Sequence, residues 1–108
     1  MAVRAYLSDK WKHVTEGTPL AVTVTTSKAK VLNANPNRFS VLFMNIGSYD
    51  IYLSPLTDVA SSKGLILGAG GGAASFAADE DGELPTQEFW GIAIGGSSTL
   101  YVMEVKAV

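Results

Sequence analysis

The stretch NPNRFSVLFMNIGSYDIYLSP, Asn35–Pro55, decides the fold. It opens within a turn cluster, Asn33-Ala34-Asn35-Pro36-Asn37, in which Pro36 disfavours helix at Asn35. Two apolar and aromatic runs follow, Phe39 to Ile46 and Asp50 to Ser54. They flank Gly47-Ser48-Tyr49 and read as a β-hairpin with a short glycine-containing loop. The first run is unusual in being apolar on both alternating faces. Phe39, Val41, Phe43 and Asn45 share one face, and Ser40, Leu42, Met44 and Ile46 share the other. A strand of an antiparallel sheet normally buries one face and wets the other, so a second layer is expected over the outer face of this one. The candidates inside the chain are the N-terminal segment and a glycine-rich link. Outside it, the cover would be another molecule.

Working outward, the same punctuation recurs. Leu20 to Thr25 alternates strictly, with Leu20, Val22 and Val24 on one face, which is the pattern of a half-buried strand. Thr26-Ser27 breaks it, and Lys28 to Leu32 forms a second short strand. Near the C-terminus, Phe89 to Ile94 and Thr99 to Val105 flank Gly95-Gly96-Ser97-Ser98, a second expected hairpin. Between the two hairpins lie a loop from Pro55 to Lys63, a short Leu65-Ile66-Leu67 strand, the glycine-rich link, a strand at Ala74 to Ala78 and a polar turn from Asp79 to Pro85. The total is about seven or eight short antiparallel strands at roughly 8–12-residue spacing. The expected fold is all-β: a single β-sandwich (jelly-roll-like) or a small barrel, with an extended N-terminal arm.

A chain of 108 residues, 47% hydrophobic and 17% charged, suits one domain with one core. The division expected is an arm over residues 1–18 and a β-sandwich domain over 19–108. The arm has neither clean alternation nor a helical stripe, yet it holds Val3, Tyr6, Leu7, Trp11 and Val14. A disordered tail is normally poorer in large apolar groups, so the arm is expected to dock, on its own body or on a neighbour. Residues 1–30 carry a net charge of +3 and the remainder −5, making a basic arm on an acidic body. The overall charge of −2 gives no case for nucleic acid. No apolar run approaches the roughly 20 residues needed to span a bilayer. The start, MAVRAYLSDKWKH, lacks the basic and then unbroken apolar pattern of a signal peptide. With no cysteine, disulfides and thiolate metal sites are excluded.

Material for enzyme chemistry is sparse. His13 is the single histidine and sits in the arm, and no G-x-S-x-G nucleophile elbow is present. Gly68 to Ser75 lacks the Lys-Ser/Thr pair of a phosphate loop and reads as a flexible or bulged connection. Asp79-Glu80-Asp81-Gly82-Glu83 lacks the spacing of a calcium loop and reads as a solvated acidic turn, with a cation or a basic partner as alternatives. No catalytic residue, metal site or cofactor is expected. Adjacent Phe89 and Trp90 must point to opposite faces of their strand, so one fills the core while the other lies outside. With no second aromatic at a matching spacing in the sequence, the outer one suits a protein interface better than a sugar platform.

The order Asn-Pro-Asn-Arg, apolar strand, Asn-x-Gly-Ser and Asp-Ile-Tyr-Leu resembles small β-sandwich structural proteins of tailed bacteriophage virions. The matching parts are Arg38 to Met44, Asn45 to Ser48, Ile51-Tyr52, Gly64 to Leu67, Trp90 to Ile94, Gly95 to Thr99 and Tyr101 to Glu104. In place of the usual Pro-Gly-Glu-Ser type of turn, this chain has Gly68 to Ser75. The resemblance implies a virion component without enzymatic activity. The leading expectation is a capsid decoration (cement) protein, made in the host cytoplasm and placed on the capsid surface. Copies would associate, as a homotrimer, and tie major capsid protein subunits together, with no nucleic acid or membrane involved. Arg4, Tyr6, Leu7, Trp11 and Lys12 of the arm, and Leu42, Met44 and Trp90 of the body, are the expected partner-binding residues. The alternatives are a tail, neck or fibre-attachment structural protein and, from a different class, a carbohydrate-binding module built on Trp90.

Overall fold

In the computed structural model the described residues are 14–16, 20–60 and 63–107. His13 and the arm residues Arg4, Tyr6, Leu7, Trp11 and Lys12 lie outside them. The chain is ordered as strands β1 (Val14–Glu16), β2 (Leu20–Val24), β3 (Ala29–Leu32), β4 (Arg38–Asn45), β5 (Ile51–Ser54), β6 (Leu65–Leu67) and β7 (Ala73–Ala77). A one-turn helix α1 (Ala78–Asp81) and a 3-10 turn (Leu84–Thr86) follow, then β8 (Phe89–Ala93) and β9 (Ser98–Ala107).

The antiparallel pairs are nested. Strand β2 lies on β9, β3 on β8, β4 on β7 and β5 on β6. Rolling this folded ribbon on itself brings β4 against β9 and β5 against β8. The result is two facing sheets. Sheet A runs β2-β9-β4-β7, with β1 continuing the β2 edge along the far part of β9, and sheet B runs β3-β8-β5-β6. This is the strand order of a jelly roll, a sandwich rather than a closed barrel.

Each observed strand falls within a residue or two of an expected one, apart from β1 and the C-terminal extension of β9. The two expected hairpins are a different matter. Strands β4 and β5 belong to different sheets, as do β8 and β9, so both loops are arches that cross from one sheet to the other. Among consecutive strands, β5 and β6 are the pair that does form a ladder. The choice of arch over hairpin lies in the long-range ladders of β4 with β9 and of β5 with β8.

The core lies between the sheets. Val41, Phe43, Ile51, Leu53, Phe89, Leu100 and Val102 are all at most 2% exposed. Three rings tie the layers together: Phe43 of β4 lies 4.8 Å from Phe89 of β8, and Phe76 of β7 stacks on Phe89 at 5.6 Å.

Two polar hubs cap strand β4. A bulge between Arg38 and Ser40 shifts the register against β9 and buries Arg38, although simple alternation puts it with the outward Ser40, Leu42 and Met44. Its Nε donates to Glu104 Oε1 at 2.7 Å, Nη1 to the carbonyls of Pro85 (3.0 Å) and Gln87 (3.1 Å), and Nη2 to that of Asn33 (2.6 Å). One guanidinium thereby ties the β3–β4 and β7–β8 connections to β9. At the other end of β4, Asn45 is fully buried and uses its whole amide. Its Nδ2 donates to the carbonyls of Tyr49 (2.7 Å) and Leu67 (2.8 Å), and its Oδ1 accepts from Gly47 N–H (3.0 Å) and Ser98 Oγ (2.7 Å). Gly71 N–H donates to the Asn45 carbonyl, so the glycine-rich link is pinned to this hub as well.

Candidate assembly surfaces

Alternation along β4 and its neighbours places Leu42 and Met44 on the outer face of sheet A. The register defines the rows across that face. Ala21, Tyr101, Met44 and Ala73 form one; Met103, Leu42 and Ser75 form the next; Val105, Ser40 and Ala77 form a third. Tyr101 Oη approaches Met103 Sδ at 3.9 Å, so their side chains run along the same surface. Leu42, Met44, Tyr101, Met103 and Val105 are half-buried. Among the described residues, no charged side chain stands in its first two rows. An outer face on a soluble antiparallel sheet would ordinarily carry alternating polar groups. Two flexible thioethers at its centre give an adaptable contact surface.

Trp90 stands on the opposite side of the sandwich. The structure brings Leu42 and Met44 together and separates both from Trp90, which lies on the outer face of sheet B while Phe89 is fully buried beneath it. The Trp90 indole Nε1–H donates to Glu88 Oε2 at 2.8 Å, and Lys30 Nζ bridges to Glu88 Oε1 at 3.3 Å while standing 5.7 Å over the Trp90 ring. The Trp90 hydrogen bond, then the one from Lys30, holds the Glu88 carboxyl below its ordinary value of 4.5. Beside this group, Trp90 is opposite Ser54, and Tyr52 is opposite both Ile92 and Ile66. Tyr52 is therefore a diagonal neighbour of Trp90, a second aromatic that sequence spacing could not reveal because it comes from another strand. Ile66 is 55% exposed at the edge of this stripe.

Two other features have local accounts. A groove of about 260 Å³ beside the Arg38 hub is lined by Leu32, Asn33, Asn35, Glu104 and Lys106, and within it Arg38 and Glu104 are engaged with each other. In the acidic turn, the Asp81 carboxylate accepts from Ala77 N–H at 2.9 Å, and Asp79, Glu80 and Glu83 face solvent. Among the described residues no group of three or more metal-ligating side chains converges, and no helix is long and apolar enough to cross a membrane.

The geometry defines a jelly-roll sandwich with an apolar outer surface on sheet A and the Trp90–Glu88–Lys30 group beside Tyr52 on that of sheet B. No protein-family model matches the sequence, and neither does any curated protein. Among solved structures, a chain of the Bacillus endospore appendages, described as a novel family of disulfide-linked pili, is similar in fold. The TM-score is 0.56 over 88% of this chain and 88% of that one, at 12% sequence identity. The likeness supports the sandwich architecture. The present chain has no cysteine with which to form such links.

Proposed function

We propose that this chain is a non-enzymatic structural subunit that works by packing its sheet faces against other molecules, and that it serves as a capsid decoration (cement) protein of a tailed phage. The observation that carries the reading is the apolar outer face of sheet A, with Leu42, Met44, Tyr101 and Met103 where polar residues would be expected. The hubs at Arg38 and Asn45 support it. They give a disulfide-free domain rigid ends, so the faces are presented in fixed geometry. Copies associate, as trimers, and bridge neighbouring major capsid protein subunits at the virion surface. The test is binding of the purified protein to expanded capsids that lack it, followed by sedimentation. Co-sedimentation at a fixed stoichiometry supports the proposal, and failure to bind sinks the capsid assignment. A tail, neck or fibre-attachment role with the same sandwich predicts a dozen or fewer copies per particle instead of hundreds, read from a stained gel of whole virions.

A second reading, carbohydrate binding, is favoured by the diagonal Tyr52–Trp90 pair. Against it, the Lys30 ammonium occupies the ring face on which a sugar would stack. A glycan array without hits removes it.

A further inference from the structure

We infer that the groove beside the Arg38 hub is a binding site for a single carboxylate carried on a short aliphatic stem. The site lies at the end of the sandwich where β4 begins and β9 finishes, and it does not depend on the assembly of copies. A guanidinium has five N–H donors. Arg38 uses four of them, one on Nε, two on Nη1 and one on Nη2. The second Nη2–H has no acceptor among the described residues, although the side chain is only 2% exposed. A buried donor without an acceptor is costly, so this one calls for an occupant. Its direction follows from its neighbours. Asn33 and Glu104, which accept from Nη2 and Nε, both line the groove, whereas Pro85 and Gln87, which accept from Nη1, do not. The groove therefore borders the edge of the guanidinium that carries the spare donor.

Charge and shape select the ligand. Lys106 lines the same groove and has no ion-pair partner among the described residues. With Arg38 and Lys106 positive and Glu104 negative, the lining carries an excess of one positive charge. A singly charged anion balances that excess, whereas a doubly charged one such as phosphate would meet repulsion from Glu104. Beside the charged groups, Val31, Leu32 and Ala34 supply an aliphatic wall. The volume of about 260 Å³ is below the roughly 300–1,000 Å³ of pockets for larger organic ligands, and it suits a few methylenes behind a carboxylate. The carboxylate accepts from Arg38 Nη2–H and Lys106 Nζ in charge-assisted hydrogen bonds while its stem lies on Val31 and Leu32. A glutamate side chain of a protein and a free short-chain carboxylate share this chemistry.

NMR titration of the full chain tests the site and separates the two sources. Butyrate, butyramide, inorganic phosphate and chloride are added at matched ionic strength while the Arg38 Nε–H and the Asn33 and Lys106 backbone amides are followed. Blocked Ala-Glu-Ala and Ala-Gln-Ala peptides form a second arm. The expected result is a saturable shift with a carboxylate, and binding at least roughly tenfold weaker for butyramide, phosphate and the glutamine peptide. Lys106→Gln should weaken carboxylate binding roughly tenfold, and Lys106→Arg, which keeps the charge, should retain it. Arg38 is left in place because the fold depends on it. Saturation by butyrate, alone or with the glutamate peptide, shows that a free carboxylate suffices; saturation by the glutamate peptide alone assigns the site to a protein side chain. Three results overturn the inference: no saturable shift with either carboxylate up to about 100 mM, phosphate or butyramide binding as tightly as butyrate, or Lys106→Gln binding as well as the native chain.

Discussion

Arg38 and Glu104 form a nearly buried ion pair, with Nε donating to Oε1 at 2.7 Å and the two side chains 2% and 12% exposed. The other guanidinium donors satisfy three backbone carbonyls from two connections. Removing the arginine leaves all of these acceptors and a carboxylate with no partner. Arg38→Ala should therefore cost about 3–5 kcal/mol in urea unfolding. Glu104→Gln keeps an acceptor oxygen and should cost about 1 kcal/mol. Equal costs for the two variants would contradict the view of Arg38 as an anchor of several connections.

Asn45 makes a parallel prediction at the other end of β4. Ser98→Ala removes one of the two donors to Asn45 Oδ1 in a fully buried site and should destabilise by about 1–3 kcal/mol. Gly47→Ala should be at least as severe. A Cβ there would sit 2.1 Å from Ser98 Oγ and 2.5 Å from the Thr99 backbone nitrogen, so the arch must shift off the hub. Thermal unfolding of the two variants checks both statements.

These hubs mark where sequence reasoning stopped. Strand positions were legible because β-branched and aromatic runs are separated by Gly, Asn, Asp, Pro and Ser, and the faces of Leu20 to Thr25 and of Val41 to Asn45 follow from alternation. Sheet membership was not legible. Gly47-Ser48-Tyr49 suits a hairpin or an arch equally in composition, and the choice lies in long-range pairs such as Met44 with Tyr101. The burial of Arg38 was hidden by the bulge that reverses its side of the strand. Likewise, Tyr52 joins Trp90 only through the β5–β8 ladder. On the surface, the apolar outer face of β4 was readable from Leu42 and Met44 alone, whereas the separation of Trp90 onto the opposite sheet required the fold.

Glu88 gives a pH prediction. Its carboxyl is held below 4.5 by the Trp90 indole and then by Lys30. A depressed carboxylate contributes stability above its unfolded value, and that contribution is lost as pH falls through the lowered folded value. NMR titration of the Glu88 side chain should show a midpoint below 4.5. Trp90→Phe and Lys30→Met should each raise it. A midpoint unmoved by one of them would contradict the part assigned to that residue.

The outer face of sheet A should behave as surface in the isolated domain and as interface in the assembly. Met44→Lys and Met103→Lys should each leave unfolding free energy within about 0.5 kcal/mol when measured on dissociated chains. A loss well above that would mean that the face is covered by the same chain.

The most direct test of the account is sedimentation velocity on the native chain and on the Met44→Lys/Met103→Lys double variant, with circular dichroism to confirm unchanged β structure. The account predicts an oligomer for the native chain and a monomer for the variant. A native chain that sediments as a monomer across the accessible concentration range, or a variant that sediments like the native oligomer, would contradict it.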